Sequence, residues 1–156
     1  MEILPATVEH AGMISDLIRS FDAEVAIQPG LSGIEPYIAS TSAEAEAGYI
    51  ASSRYVYRVA LRDSRLLGVV AVRDRTHLFH LFVAREAQRR GIGRKLWQAA
   101  LSAVAPSGIA KVFTVNSTVL ALSFYEHLGF SSTGSKVEAH GICFIPMQCS
   151  VGDARG

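Results

Sequence analysis

A short run of glycines and arginines, Gln88-Arg89-Arg90-Gly91-Ile92-Gly93, has the composition of an anion-binding turn. An apolar, strand-like stretch precedes it, and residues with helical spacing follow it. The first N–H groups of a helix lack internal partners, and the helix dipole adds partial positive charge there. Because glycine lets the main chain approach an anion closely, the pattern predicts a pyrophosphate site.

The basic residues around this turn favour the same interpretation. Five of the chain's fifteen Lys and Arg residues fall within residues 85–95: Arg85, Arg89, Arg90, Arg94 and Lys95. Only Glu86 opposes them, and the formal net charge of the whole chain is +1. So local a cluster in a nearly neutral chain indicates a small polyanionic ligand. No aromatic residue is interleaved for base stacking, so we expect no nucleic-acid partner.

Hydrophobic periodicity predicts the elements that hold this turn. We expect strands at residues 2–6, 55–61, 66–72, 77–83, 111–115, 131–137 and 142–149. Helical spacing predicts helices at residues 8–21 and 41–52, one from the glycine turn to Pro106-Ser107-Gly108, and one from Ser117 to Gly129. The sequence therefore predicts an α/β fold: a mixed, mostly antiparallel sheet of six to seven strands with helices on both faces.

Local signals place the ends of these elements. Thr7 is a predicted N-cap, and Thr41 with Glu44 forms a predicted capping box. Residues 28–36 hold two Pro and two Gly, which predicts a loop. With 156 residues and 49% hydrophobic composition, we expect one domain over residues 1–150 and a tail over 151–156.

The turn differs from two common phosphate-binding motifs. It lacks the glycine-lysine-hydroxyl ending of a nucleoside-triphosphate loop and the three glycines of a dinucleotide fingerprint. Gln88-x-x-Gly91-x-Gly93 instead resembles the acetyl-CoA signature of the GNAT superfamily of N-acetyltransferases. Residues 115–130 and 141–147 resemble later segments of that superfamily, and coverage is good from about residue 66 to 147. It is weak over residues 1–53.

The resemblance implies acetyl-CoA as co-substrate, no metal, and a splay between strands four and five that takes up pantetheine. Main-chain amides of residues 88–94 would hold the pyrophosphate, and Asn116 would face the pantetheine arm. The implied cofactor-binding residues are Leu81, Phe82, Val83, Gln88, Arg89, Arg90, Gly91, Ile92, Gly93, Arg94 and Asn116. Tyr125 would protonate the departing thiolate. The spacing from Asn116 to Tyr125 is two residues longer than in many members of the superfamily.

An attacking amine must also lose a proton, which requires a base or a water chain. Many members carry an acidic residue on the fourth strand near the position of His80, and histidine titrates near neutrality. His80 is the predicted base. Glu138, His140, or Tyr55 or Tyr57 acting through water are the alternatives.

These residues predict an N-acetyltransferase acting on a primary amine by direct attack in a ternary complex, because no cysteine is expected in the site. The alternative is a non-catalytic module that binds acyl-CoA. The acceptor, an amine-bearing small molecule or peptide, would be selected by the first helix, residues 22–53 and the hairpin at residues 138–141.

The sequence gives less detail about the protein's location and oligomeric state. No apolar run approaches ~18 residues, so we expect no membrane association, and no signal peptide is recognisable. Cys143 and Cys149 would lie about 20 Å apart on one strand, too far to bridge. We expect a cytoplasmic protein, with a homodimer possible because the superfamily often forms them.

Overall fold

The computed structural model describes residues 1–105 and 111–151. Its strands are β1 (Glu2–Pro5), β2 (Tyr55–Arg62), β3 (Arg65–Arg73), β4 (His77–Val83), β5 (Lys111–Ser117), β6 (Ser131–Ser132), β7 (Val137–Ala139) and β8 (Ile142–Val151). Its α-helices are α1 (Ala11–Arg19), α2 (Asp22–Val25), α3 (Glu35–Ser40), α4 (Ala43–Ala51), α5 (Ile92–Val104) and α6 (Leu122–His127). Short 3₁₀ turns cover Val8–His10, Pro29–Leu31 and Arg85–Ala87.

The described strands form one mixed sheet in the order β1-β2-β3-β4-β5-β8-β6, with β7 paired to β8. Neighbours are antiparallel except β4 and β5, which run parallel. The parallel pair shares only two register positions, His77 with Thr114 and Leu78 with Val115. Beyond Leu78 the two strands separate, so the predicted splay between strands four and five is present.

Two apolar cores lie on opposite faces of the sheet. On one face α5 packs its buried residues Leu96 and Trp97 against β2, β3 and β5, together with Phe113 and Tyr125. On the other face α1 packs against α4 and β3, with Ile14 at the centre. β3 is buried along nearly its whole length because helices cover both faces, as its unbroken apolar sequence requires.

The element boundaries correct the sequence prediction in the first half of the chain. Residues 28–36 are not all loop, because α3 begins at Glu35 with a proline in its first turn. The N-cap of α4 is Ser42, whose hydroxyl accepts from Ala45 N–H at 3.1 Å. Thr41 instead ends α3, and its hydroxyl donates to the Tyr37 carbonyl at 2.9 Å.

The second half needs three corrections. Ser117 does not cap a helix: it is the last residue of β5, and α6 begins only at Leu122. The strand predicted at residues 131–137 is two short strands, β6 and β7, so the described part of the sheet has eight strands. The predicted stop at Pro106-Ser107-Gly108 lies outside the described residues. Val151, assigned to the tail, belongs to β8.

Candidate active site

A cleft of about 860 Å³ opens where β4 and β5 separate. The start of α5, the body of β4 and the helix α6 line one part of it. Residues of α2, α3 and the first three residues of β8 line the rest. Because β4 and β5 separate here, side chains from both apolar cores line this cleft.

The glycine turn presents a row of free main-chain donors. Arg89 and Gly91 have positive φ values of 66° and 78°, and Gly91 is the residue that starts α5. The helix takes up its bonding only at Lys95, whose N–H donates to the Gly91 carbonyl at 3.1 Å. Among the described residues, the N–H groups of residues 89–94 have no acceptor. This row fits a pyrophosphate, as the sequence predicts.

Gln88 takes a different part in this turn. Its own N–H donates to the Arg85 carbonyl at 3.3 Å, and its side-chain Nε2 donates to the Val83 carbonyl at 3.0 Å. Its side chain therefore ties the turn to the end of β4. Arg89 lines the cleft with an exposed side chain, whereas Arg90 is exposed but does not line it.

Two arginines of the basic cluster have protein partners. Arg85 Nη2 lies 2.5 Å from Glu24 Oε2 and also donates to the Ser20 carbonyl at 3.0 Å. Its guanidinium stacks 4.4 Å from the centre of the Phe21 ring. Arg94 Nη2 donates to the His127 carbonyl at 3.4 Å. Arg85 therefore joins the α1–α2 corner to the cofactor side of the cleft.

Phe124 packs directly over the start of α5. A Cβ built on Gly93 would lie 2.9 Å from Phe124 Cζ, so only glycine allows this approach. Phe124 lines the cleft and remains partly exposed. Nothing in the sequence signature singles out this aromatic residue, which sets the width of the cleft above the free amides.

The cofactor-binding residues predicted outside the turn also line the cleft. Leu81, Phe82 and Val83 form its wall along the part of β4 that has left β5. Asn116 is exposed near the end of β5 and lines the same cleft, although its spacing to Tyr125 is unusual.

Tyr125 is buried on α6 with a residual exposure of 6% and still borders the cleft. Its ring makes edge contacts with Phe124 and Phe130 at centroid distances of 5.4 and 5.7 Å. Burial raises the pKa of its phenol above the ordinary value of 10.0. The hydroxyl therefore keeps its proton at neutral pH and is present there as a hydrogen-bond donor.

His80 is 5% exposed, lines the cleft and lies beside a carboxylate that the sequence did not indicate. Its Nε2 is 2.9 Å from Oε2 of Glu46, a residue of α4 with 0% exposure. The Tyr57 hydroxyl donates to Glu46 Oε1 at 2.6 Å. Burial, followed by the charge and hydrogen bond of Glu46, raises the pKa of Tyr57. The cluster is thus a buried chain of three polar side chains.

A bulge in β4 orients this histidine. Ala71 of β3 pairs with His80 and Val72 pairs with Leu78, so Phe79 is an extra residue in β4. Bulges bend a strand and redirect its side chains. The Phe79 and His80 rings consequently stack at a centroid distance of 4.2 Å.

The alternative bases and the cysteines are placed differently. Glu138 and His140 are exposed in the β7–β8 hairpin, and neither lines the cleft, nor does Tyr55. Both cysteines are free, as predicted, but Cys143 borders the cleft. The expectation that no cysteine lies in the site is therefore wrong, because Cys143 is the second residue of β8 and the start of β8 forms one wall of the cleft.

The end of the cleft predicted to take the acceptor joins distant parts of the chain. Ile27 N–H donates to the Gly141 carbonyl at 2.9 Å, and Ala26 pairs with Ile142. Gly141 has φ 79°, and a Cβ there would overlap the Gly33 carbonyl. The segment after α2 is therefore clasped to the tip of the β7–β8 hairpin.

No group of three His, Cys, Asp or Glu side chains with metal-binding geometry occurs in residues 1–105 and 111–151. Over the same part of the chain, no helix has both the length and the apolar composition to cross a bilayer.

A sheet that opens beside a helix start with free main-chain N–H groups is a geometry that can hold a phosphate-bearing ligand. The sequence profile described as the Acetyltransferase (GNAT) domain matches residues 25–151. This chain belongs to the GNAT acetyltransferase family, which confirms the resemblance. The predicted α/β fold of that family is confirmed as well.

Three known proteins illustrate the relationship. Rat N-acetyltransferase family 8 member 3 is 31% identical over 106 residues, which cover 61% of this chain and 46% of the relative. PaiA N-acetyltransferase from Thermoplasma acidophilum, solved in complex with coenzyme A, has a TM-score of 0.76 at 19% identity, covering 96% of this chain and 98% of that one. Aminoglycoside 6'-N-acetyltransferase from Enterococcus faecium gives 0.67 at 16%, with 100% of both chains covered. This chain spans about half the length of the curated relatives it matches.

Proposed function

We propose that this protein transfers the acetyl group of acetyl-CoA to a primary amine. The observation that carries the proposal is the row of free N–H groups at residues 89–94, placed beside the opening between β4 and β5. A diphosphate on these donors directs the rest of an extended ligand along the wall formed by Leu81, Phe82 and Val83.

The reaction needs two proton transfers, and the cleft offers a group for each. The neutral amine attacks the thioester carbonyl carbon and forms the C–N bond while His80 accepts the amine proton. The C–S bond then breaks, and Tyr125 gives its proton to the thiolate. Exchange with solvent returns both side chains to their starting states, so the products are an amide and free thiol. Fixing both reactants in one cleft supplies much of the rate.

Direct attack is favoured over an acyl-enzyme on Cys143. A nucleophilic cysteine needs a nearby base or cation to form its thiolate. Among the described residues, no side chain hydrogen-bonds the Cys143 sulfur, and no cation is paired with it. Steady-state kinetics with intersecting double-reciprocal lines, and retained turnover in Cys143→Ser, would support a ternary complex.

The charges around the cleft favour an acceptor with one amine and an apolar body. Among the described lining residues, Glu24 is the sole carboxylate, and it is paired with Arg85. Four arginines line the same cleft: Arg73, Arg85, Arg89 and Arg94. Aromatic rings of Phe21, Tyr37 and Phe82 complete the acceptor end. A polycation would meet like charge here, which is costly at close range.

The test combines calorimetry with coenzyme A and a thiol-release assay on 2-phenylethylamine, a short peptide, kanamycin and spermine. We expect coenzyme A to bind, and kcat/KM for 2-phenylethylamine to exceed that for spermine by about tenfold or more. Binding without thiol release on any amine would favour the alternative of a non-catalytic acyl-CoA module. Failure to bind coenzyme A would refute both.

A further inference from the structure

The buried carboxylate of Glu46 has no part in the reaction scheme above. It has 0% exposure, so an ionised form needs partners for both oxygens. Tyr57 donates to Oε1 at 2.6 Å, and His80 Nε2 lies 2.9 Å from Oε2. Replacing this residue by an apolar one would fill the same space at lower desolvation cost, and burial of the charge therefore points to a use for it.

The two bonds fix which imidazole nitrogen carries hydrogen. The single Tyr57 hydroxyl hydrogen goes to Oε1, and an ionised carboxylate can only accept at Oε2. His80 Nε2 must then be the N–H that donates to Glu46. The remaining ring nitrogen, Nδ1, keeps its lone pair and can accept a proton.

We infer that Glu46 is a positioning residue for the proposed acetyl transfer: it holds His80 through Nε2 so that Nδ1 takes the proton of the attacking amine. The inference rests on the proposed function. When Nδ1 gains that proton, the imidazolium lies against a carboxylate already in place, and the new charge is compensated without reorganisation. The same carboxylate fixes the ring, as second-shell partners fix catalytic or ligating histidines elsewhere.

Other titratable or charged groups around this cluster do not supply that compensation. They are Tyr57 and Tyr55 of β2, Arg73 of β3, His77 of β4, Tyr37 of α3, Tyr49 of α4, and the ion pair between Arg19 of α1 and Asp22 of α2. The pKa of His77 is lowered to about 4 by its burial and then by the charge of Arg73, so it is neutral at pH 7. Burial also raises the pKa values of Tyr37 and Tyr57, which remain neutral. Asp22 is already paired with Arg19 at 2.7 Å, so Glu46 is the carboxylate that contacts His80.

The kinetic test places Glu46→Gln in two backgrounds, the native chain and His80→Ala. The exposed Glu44→Gln on the same helix is the matched control. With the fastest amine of the panel, we expect Glu46→Gln to lower kcat about ten- to hundredfold with KM for acetyl-CoA unchanged. In His80→Ala, Glu46→Gln should cause no further loss.

Equal losses in both backgrounds would overturn the inference, because Glu46 would then act independently of His80. A second readout needs no activity. Nitrogen NMR of the histidine-labelled native protein distinguishes a ring N–H from a lone-pair nitrogen, and we expect the hydrogen on Nε2 of His80. Hydrogen on Nδ1 would also overturn the inference, even where Glu46→Gln does not fold. Absence of thiol release on every amine would refute the proposed function, whereas the NMR result tests separately whether Glu46 fixes the hydrogen of His80 on Nε2.

Discussion

The two sides of the cleft are built from different parts of the polypeptide. The cofactor side is a run of main-chain N–H groups at residues 89–94, largely exposed and contiguous in sequence. On the proposed acceptor side, His80 of β4 lines the cleft and is backed by the buried side chains of Glu46 and Tyr57, from α4 and β2. Main-chain donors persist through most substitutions, whereas the cluster changes with any of its members. Ligand binding and proton handling can therefore be altered separately.

The largest expected effect comes from Tyr125, because it is a side chain with a proposed chemical role on the side of the cleft where main-chain groups are proposed to bind the cofactor. Tyr125→Phe keeps the buried ring between Phe124 and Phe130. Loss of the general acid should lower kcat about a hundredfold in the thiol-release assay, with KM for acetyl-CoA unchanged. Since burial raises the pKa of the Tyr125 phenol above 10.0, its ionisation should cause no loss of activity below pH 10.

Tyr49→Phe is the matched control, because its hydroxyl bonds the Ser40 carbonyl on the outside of α4. It should leave kcat within about twofold of the native value. If Tyr125→Phe behaved like this control, Tyr125 would be a core aromatic residue only.

Gly93 is the place where the cofactor side should be sensitive to a side chain. Gly93→Val would force Phe124 out of its position over the start of α5, since even a Cβ comes within 2.9 Å of the ring. We expect the dissociation constant of coenzyme A, measured by calorimetry, to rise about tenfold or more, equal to about 1.4 kcal/mol. Gly48→Ala is the control, because a Cβ there meets nothing within 4 Å. Unchanged affinity in Gly93→Val would show that this approach does not shape the binding site.

The smallest effect concerns His77, the first of the two paired positions between β4 and β5. Its Nδ1 lies 2.8 Å from Thr114 Oγ1, and burial lowers its pKa from 6.5 to about 4. Below pH 6.5 the unfolded chain binds a proton that the folded chain does not, so stability should fall as the pH drops toward 4. Urea unfolding at pH 7 and pH 4.5 gives the free energy of unfolding at each pH, and the difference is the loss. We expect His77→Gln to make this loss about 1 kcal/mol smaller, after allowance for solvent screening. His127→Gln, at an exposed site, should leave it unchanged.

The same contrast explains which parts of the site could be predicted from the sequence. The glycine turn could be identified because its residues are adjacent and its geometry is local. The partners of Glu46 lie 11 and 34 residues away, so only the packing of α4 against the sheet brings them together. A weak signal existed, since Glu46 shares a helix face with Tyr49 and Ile50, but nothing named its partners.

Other differences have equally particular causes. His80 could be placed by strand position, but the bulge at Phe79 that turns it could not. Cys143 was placed on the right strand, but its position on the cleft wall depends on how β8 packs. The predicted N-cap of α4 was wrong by one residue, because Thr41 and Ser42 are both good capping residues. Only the backbone conformation where α3 ends determines which of them caps α4.

The clasp between Gly33 and Gly141 has a consequence for how substrate range can diverge in relatives. Two stretches more than a hundred positions apart share one surface, and Gly141 accepts no bulkier residue unless the chain at Gly33 and Ile34 withdraws. Transplanting residues 22–42 alone from a relative would thus produce a mismatched chimera. Exchanging the hairpin at residues 137–144 in the same step would preserve the fit, so selectivity is inherited as a pair of segments.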